Sequence, residues 1–261
     1  VDHDLLERVD NSLQENLADV IVFGTIEEYY NKNGEYKYSK VHNANPENIS
    51  DQETIYERVI DLEEKTLYGY VWNKIYKREK IQEKNLLFEN ITLIEDITFN
   101  VKFFMDVRSV NILGGYPYHY QKRLNTSLTN KFVPEYYPLH KARIEMLCNQ
   151  YKYWNHFTDQ IRQRIAAIYT RYIVSAIQRN CDKRAGMTWK DRAAWCREVF
   201  YSDLFKELRL YMRPDGSLLK ILAFFIRRRN IFMCMLFGKV IFVVKNKMPI
   251  FFARIKDKRN V

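Results

Sequence analysis

The stretch DHDLLERVDNSLQENLADVIVFG, residues 2–24, decides the fold class. Four apolar residues recur in its first half at the spacing of one helix face: Leu5, Leu6, Val9 and Leu13. The apolar run VIVFG, residues 20–24, follows this helix and is typical of a short buried strand. A helix that leads directly into a buried strand predicts a mixed α/β structure.

Turn and capping signals downstream predict further short elements around this core. Asn33-Gly34 lies between two tyrosine-rich arms and predicts a hairpin turn. Asp51 is placed to cap a helix over roughly 52–65. The segment SVNILGGYPYHYQKR, residues 109–123, predicts two short strands around a Gly-Gly turn.

The pattern changes to long helices after Phe132. They are predicted over roughly 136–156, 158–180, 189–210 and 217–246. The chain therefore divides into a mixed α/β part, 1–132, and an all-α region, 133–261.

The spacing of the cysteines disfavours two classes of small cysteine-dependent domain. The four cysteines are widely spaced and form no CxxC pair: Cys148, Cys181, Cys196 and Cys234. This pattern argues against a zinc ribbon and a disulfide scaffold, and it fits a reducing cytoplasm.

Net positive charge is confined to the last part of the chain. Residues 205–261 carry fourteen Lys or Arg and three Asp or Glu, whereas the rest of the chain is close to neutral. An anionic partner is therefore expected to meet this tail.

Two adjacent carboxylates, Glu95 and Asp96, stand inside the otherwise apolar run ITLIEDITFN, residues 91–100. Burying a carboxylate without a partner is costly, and such a group usually shifts its pKa. The pair either favours the first turn of a helix or holds a proton or a metal for chemistry.

Three motifs resemble those of bacterial family 2 glycosyltransferases, the GT-A fold enzymes that build exopolysaccharides and capsules from nucleotide sugars. They are VWNKIYKREKI at 71–81, IEDITFN at 94–100 and YPYHYQKRLNTSLTNKF at 116–132, and their order and spacing match the family. The resemblance covers about residues 1–135, with a weaker match at GKVIFVVKNKMP, residues 238–249.

The resemblance implies that residues 1–132 are the acceptor-side half of a GT-A-like mixed-sheet domain. In the family, a nucleotide-binding half that ends in an aspartate-rich metal motif comes first, and Val1 stands just where that motif would end. We therefore expect an N-terminally truncated chain, with the main ligands of a Mn²⁺ or Mg²⁺ ion in the missing half. Gln121 is a departure, because many relatives carry Arg there.

The family's acidic pair implies that Asp96 is the base that takes the proton from the acceptor hydroxyl. Glu95 would orient Asp96 or contact the acceptor. The alternative is that both acids only stabilise a helix start.

The strand YPYHYQKR implies donor-side residues. A late histidine in related enzymes can complete the metal shell, which implies His119 as a ligand. Arg123, Lys122 and Ser127 would hold the donor diphosphate, with the bidentate Arg123 best suited. The alternatives are a hydrogen-bonded structural histidine and a solvated basic loop.

The Trp-Asn-Lys segment implies an acceptor pocket bordered by Trp72, Asn73 and Lys74. An aromatic face packs on the apolar face of a sugar, and an amide binds hydroxyls. The alternative for Trp72 is a place in the core.

The tail, residues 218–261, alternates apolar blocks with Lys and Arg. Its longest run without charge is the nine residues NIFMCMLFG, too short to cross a bilayer, which takes about 20 apolar residues. This pattern favours docking on an anionic cytoplasmic leaflet, where lipid-linked acceptors lie. A helical core or an oligomer interface with a basic rim is the alternative.

The function expected from these features is inverting transfer of a sugar from a nucleotide-sugar donor, UDP-linked in the family, to a saccharide or lipid-linked acceptor. The protein would be cytoplasmic and peripheral on the inner face of the cell membrane. The competing interpretations are a non-catalytic basic helical interaction module and a nucleic-acid-binding protein. Nucleic acid is disfavoured because the basic residues are interleaved with large aliphatic blocks.

Overall fold

The computed structural model describes residues 1–31, 33–91, 93–123 and 132–247. The chain forms two compact units. The first contains Val1–Phe132 and Met146–Phe157, and the second contains Val133–Glu145 and Thr158–Val261.

A five-stranded mixed sheet organises the first unit. Its strands are β1 (Val20–Tyr30), β2 (Tyr36–His42), β3 (Glu47–Ile49), β4 (Lys74–Tyr76) and β5 (Val110–Arg123). The order is β2-β1-β5-β3, and β4 pairs with the first residues of β1. β1 and β5 are parallel, while the pairs β1–β2, β1–β4 and β3–β5 are antiparallel.

The predicted hairpin at Asn33-Gly34 is confirmed. β1 and β2 flank it in antiparallel register, and Gly34 has φ +80°, a backbone conformation that glycine adopts without strain.

The predicted turn at Gly114-Gly115 is wrong. One strand, β5, runs through both glycines beside β1 and contains a bulge there. Leu113 pairs with Phe23 and Tyr118 with Thr25, so four residues of β5 stand opposite Gly24 alone. The extra residues bend the strand and set which face its later side chains occupy.

The first unit also contains helices, of which the first two lie where the sequence patterns predict them. They are α1 (Leu5–Glu15), α2 (Gln52–Glu64), α3 (Arg78–Glu83) and α4 (Glu95–Phe104). The N-cap carboxylate Asp51 accepts from the backbone N–H of Thr54 at 2.8 Å. α1 packs on the sheet through a small apolar cluster: Leu5, Val9, Ile21, Phe23 and Leu113.

The segment Met146–Phe157 completes the first unit. It includes the end of α5 (Tyr136–Tyr153), and its buried polar groups bond to the α/β part. The Trp154 indole donates to the Met105 carbonyl at 3.0 Å, and the Tyr151 hydroxyl donates to the Tyr56 carbonyl at 2.7 Å.

The second unit is helical. After the start of α5 it contains α6 (Asp159–Arg179), α7 (Trp189–Tyr201), α8 (Asp203–Leu208), α9 (Ser217–Arg227) and α10 (Ile231–Lys247). Among residues 132–247, no helix is long and apolar enough to cross a membrane.

Two of the predicted long helices are each two helices. The break in 189–210 is at Ser202, which is the C-cap of α7 and whose hydroxyl caps α8. The break in 217–246 follows α9, where Arg229 has φ +55°. Apolar periodicity continues across both breaks, so periodicity alone could not locate them.

The predicted fold class is confirmed: the chain is mixed α/β followed by a helical region.

Candidate active site

Asp96 lies in the first turn of α4 and is half-buried. Burial raises the pKa of its carboxyl, and the neighbouring charge of Glu95 raises it further. A hydrogen bond from the Val71 backbone N–H and the positive charge of Lys74 act in the opposite direction. Asp96 is therefore a carboxylate with strengthened basicity that a neighbouring loop holds in place.

Glu95 has one carboxylate oxygen, Oε2, that is inaccessible to water and has no hydrogen-bond partner among the residues that the structure describes. An unsatisfied buried oxygen costs free energy, which a hydrogen-bond donor at this position would recover. The two acids thus form a partly desolvated pair at the start of α4.

The loop that contacts Asp96 is fixed by buried polar side chains. The Asn73 amide is fully buried and donates to the carbonyls of Phe23 and Leu67, at 3.3 and 3.0 Å. The Lys74 ammonium donates to the carbonyls of Leu67 and Tyr70, at 2.6 and 2.5 Å. Both side chains point inward, so their geometry suits positioning of the loop more than direct contact with an acceptor.

Asn100 of α4 joins the same loop from the other side. Its amide donates to the carbonyls of Tyr68 and Tyr70, at 3.0 and 3.1 Å, and its oxygen accepts from the Tyr76 hydroxyl at 2.7 Å. The helix that carries Asp96 and the loop that carries Trp72 are therefore bonded together directly.

Trp72 is half-buried within an aromatic cluster, which we define as Tyr70, Trp72, Tyr118 and Tyr120. Its ring stacks on those of Tyr70, Tyr118 and Tyr120, with centroids 4.8, 4.6 and 5.3 Å away. Tyr70 and Tyr120 are each 37% exposed, so the cluster presents ring surface to solvent beside the acid pair. Such a surface can pack on the apolar face of a sugar.

Lys122 lies next to the aromatic cluster and is engaged with the sheet. Its ammonium is 2.6 Å from the carboxylate of Glu27 and lies over the rings of Tyr29 and Tyr120. Burial of Glu27 by itself would raise its pKa, but contacts with His42, Lys122 and Tyr29 outweigh this effect and hold the pKa at about 2.

His119 lies on the face of β5 opposite to the one that carries Lys122, as strand alternation requires. Its Nδ1 is 2.9 Å from Glu28 and its Nε2 is 3.0 Å from Asp2. Hydrogen bonding to Glu28 raises the pKa of the imidazole, and Asp2 adds to this effect. Both ring nitrogens therefore face carboxylates, in an arrangement that favours the protonated ring.

The side chains that the structure describes do not form a complete metal centre by themselves. Within the described ranges, no group of three or more His, Cys, Asp or Glu side chains could hold a metal ion. A metal-bound imidazole must also give up a proton at the ligating nitrogen, which the carboxylate partners of His119 oppose.

The predicted residues thus fall into separate places. Glu95 and Asp96 lie together beside the loop of Trp72, Asn73 and Lys74. His119 and Lys122 occupy opposite faces of β5. Arg123 is the last residue of that strand, and Ser127 lies outside the described residues.

Sequence reasoning missed the aromatic partners of Trp72 and the role of Glu27. Alternation of Tyr118 and Tyr120 about His119 places these tyrosines on one face, but it does not show that a loop from another part of the chain covers them. Glu27 was missed because its partners come from two neighbouring strands.

Comparison with known proteins shows similarity to glycosyltransferases in sequence and in fold. The chain is 25% identical over 158 residues to the uncharacterized glycosyltransferase EpsJ of Bacillus subtilis (strain 168), a match that covers 59% of this chain and 43% of EpsJ. The fold resembles the crystal structure of S. aureus TarS 1–349 in complex with UDP-GlcNAc, with a TM-score of 0.51 and 14% identity. That match covers 94% of this chain and 64% of TarS 1–349.

No family model matches the chain. The chain spans less than half the length of the curated relative that it matches and less than two thirds of the solved structure.

Proposed function

We propose that this chain supplies the acceptor side of an inverting glycosyltransferase of the family 2, GT-A type. It would move a sugar from a nucleotide-sugar donor to a saccharide or lipid-linked acceptor in cell-surface polysaccharide synthesis. The observation that carries the proposal is the half-buried Asp96, held by the Val71 N–H beside a solvent-facing aromatic cluster.

Asp96 is assigned the role of acceptor base. Its carboxylate takes the proton of the acceptor hydroxyl while that oxygen bonds to the anomeric carbon of the donor sugar. The bond from the anomeric carbon to the diphosphate oxygen breaks on the opposite side, and the nucleoside diphosphate leaves with the bonding electrons. A carboxylate with a raised pKa suits this step, because proton transfer is more favourable when the base pKa lies closer to the working pH.

The aromatic cluster is assigned to the acceptor. Tyr70 and Trp72 belong to the loop that Asn100 bonds to the helix of Asp96, and Tyr120 of β5 stacks on Trp72, so a sugar packed on this cluster would have hydroxyls near the base. Asn73 and Lys74 hold this loop in place through hydrogen bonds to buried backbone carbonyls.

The proposed donor is a nucleotide sugar. The solved structure that the fold resembles holds UDP-GlcNAc, which supports a nucleotide-sugar donor. Arg123 and Ser127 remain predicted ligands of the donor diphosphate. Lys122 could bind the diphosphate only after it leaves the carboxylate of Glu27. A Mn²⁺ or Mg²⁺ ion remains a prediction, and the proton transfer described above does not depend on it.

The test uses the protein expressed from its complete reading frame. Release of nucleoside diphosphate is measured with a panel of nucleotide sugars and saccharide acceptors, for the wild type and for Asp96→Asn. We expect Asp96→Asn to lower kcat by about 10²- to 10⁴-fold, the usual contribution of a general base.

The matched control is Glu53→Gln, which removes an exposed carboxylate from the first turn of α2. It should leave the rate unchanged. If both variants keep most of the wild-type rate, Asp96 only stabilises a helix start. If the wild type neither transfers nor hydrolyses any donor, an interaction module becomes the better interpretation.

A further inference from the structure

Helix α9 is apolar on both of its sides. Its core side buries four residues spaced three and four apart: Leu219, Leu222, Ala223 and Ile226. Its outer side nevertheless exposes Ile221 and Phe224, at 48% and 46%. A surface helix of a globular protein usually presents polar residues on its outer side, so this one requires an explanation.

Helix α10 repeats this arrangement. It buries Cys234 and Met235, and Gly238 approaches Ile177 of α6 so closely that a Cβ there would lie 2.4 Å from the Ile177 side chain. Four large apolar residues are exposed at helical spacing on the outer side: Phe232, Leu236, Val240 and Val243.

The two outer sides belong to helices that pack against each other. The rings of Phe225 and Phe237 meet across the pair with centroids 5.5 Å apart. Trp189, at the start of α7 and 48% exposed, contacts the Phe232 ring edge-on at 6.4 Å. We call the six exposed residues the α9–α10 surface: Ile221, Phe224, Phe232, Leu236, Val240 and Val243.

Basic side chains accompany this surface. Residues 216–247 contain seven Lys or Arg and no Asp or Glu. The Arg228 guanidinium lies over the Phe224 ring at 4.4 Å, and the Lys239 ammonium lies 5.5 Å from the Phe242 ring. Long cationic side chains commonly place their apolar stems along such a surface and their charges at its edge.

We propose that the α9–α10 surface docks on an anionic lipid bilayer, with its apolar side chains among the acyl chains and its basic residues at the headgroups. This arrangement of apolar and cationic groups is the one found on helices that lie in the bilayer interface. A second copy of the same surface would bring like charges together, which disfavours pairing. A nucleic acid would match the charge and leave the six apolar side chains uncovered. The proposal is independent of the sugar-transfer activity.

The experiment measures co-flotation of the full protein with vesicles. One set contains phosphatidylcholine with about one third phosphatidylglycerol, and the other contains phosphatidylcholine alone. We expect binding to the anionic vesicles, at least about tenfold weaker binding to the neutral ones, and a loss of affinity between about 0.1 M and 1 M salt.

Two variants separate charge from apolar contact. The first replaces Lys220, Arg228, Lys239 and Lys245 by Ser and should weaken binding to anionic vesicles by more than about 100-fold, since each basic residue near the surface contributes roughly fivefold. The second replaces Phe232, Leu236 and Val240 by Ser and should weaken binding to both kinds of vesicle.

Matched controls change the same residue types elsewhere. Lys37, Lys102, Arg184 and Lys206 are exposed basic residues outside α9 and α10, and their replacement by Ser should leave vesicle binding unchanged. The control for the second variant replaces three exposed leucines of the first unit by Ser: Leu6, Leu17 and Leu87.

Three results would overturn the proposal. One is wild-type protein that does not float with anionic vesicles, a result that needs no variant to fold. Another is a concentration-dependent dimer that only the Phe232, Leu236 and Val240 variant disrupts, which would assign the surface to a second copy. The third is retention on single-stranded DNA without vesicle binding, which would assign the basic residues to nucleic acid.

Discussion

The backbone N–H of Val71 donates a hydrogen bond to the carboxylate of Asp96. Val71 immediately precedes Trp72, so this bond joins the candidate base to the aromatic cluster. Asn100, one turn further along the same helix, bonds to two carbonyls of the loop. The acid and the aromatic surface are therefore parts of one braced assembly, as a site that orients an acceptor hydroxyl requires.

The pH dependence of the transfer rate should reflect the ionisation of Asp96 and the influence of Glu95 on it. Because burial and the charge of Glu95 raise the pKa of Asp96, kcat/KM should increase with pH through that raised pKa. Glu95→Gln removes the neighbouring negative charge and favours ionised Asp96, so the acid limb should move to lower pH while activity at neutral pH is largely kept. An unmoved limb in this variant would show that the two carboxylates do not interact.

Truncation of Trp72 should affect acceptor binding more than chemistry. Trp72→Ala should raise the KM for the acceptor by about tenfold, the effect of losing roughly 1.4 kcal/mol of ring contact, and leave the KM for the donor unchanged. Trp72→Phe keeps a stacking ring, so its KM for the acceptor should lie between those of the wild type and Trp72→Ala. Tyr153→Ala is the control, because this exposed ring lies outside the cluster. An equal rise in both KM values would argue for general loosening of the loop.

The ion pair of Lys122 with Glu27 should stabilise the fold. Lys122→Met leaves a nearly buried carboxylate without its closest cation and should lower the free energy of unfolding by about 2–3 kcal/mol. Glu27→Gln combined with Lys122→Met should recover part of this loss, which a double-mutant cycle in urea measures.

The Glu27 carboxylate should also make the stability of the fold sensitive to acid. Its folded pKa of about 2 lies below the ordinary value of 4.5, so its contribution to stability is present above 4.5 and is lost as the pH falls toward 2. Urea unfolding should therefore depend less on pH across this range in Glu27→Gln than in the wild type. Equal dependence in both proteins would contradict the ion-pair assignment.

His119 should stabilise the first unit at low pH. Its pKa is raised above 6.5, so the stabilisation from Glu28 and Asp2 is fully present below pH 6.5 and is lost as the pH rises through the raised value. His119→Gln should cost under about 1 kcal/mol at pH 6, because the pair is partly exposed, and almost nothing at pH 9. A metal-ligand role would instead predict that added Mn²⁺ stabilises the wild type and not the variant.

Local signals predicted the elements better than their assembly. The Asn33-Gly34 turn and the Asp51 cap are set by neighbouring residues, so the sequence sufficed to place them. The parallel pairing of β1 with β5 joins residues about ninety positions apart, which periodicity does not encode. The candidate site shows the same division: the acid pair was visible in the sequence, whereas its contact with the loop of Val71 and Trp72 depends on tertiary structure.

The bulge in β5 gives the last prediction, because it decides which face Tyr118, His119 and Tyr120 occupy. Gly24 lies opposite it, and a Cβ at Gly24 would lie 2.3 Å from the Gly115 carbonyl oxygen and 2.8 Å from that of His42. Backbone atoms cannot move aside as a side-chain end can, so Gly24→Ala should lower the free energy of unfolding by about 3 kcal/mol. Gly34→Asn is the control, since a Cβ there meets nothing within 4 Å and Asn tolerates the positive φ. Urea unfolding compares the two variants. A Gly24→Ala protein as stable as the control would mean that β1 and β5 do not approach as closely as this register requires.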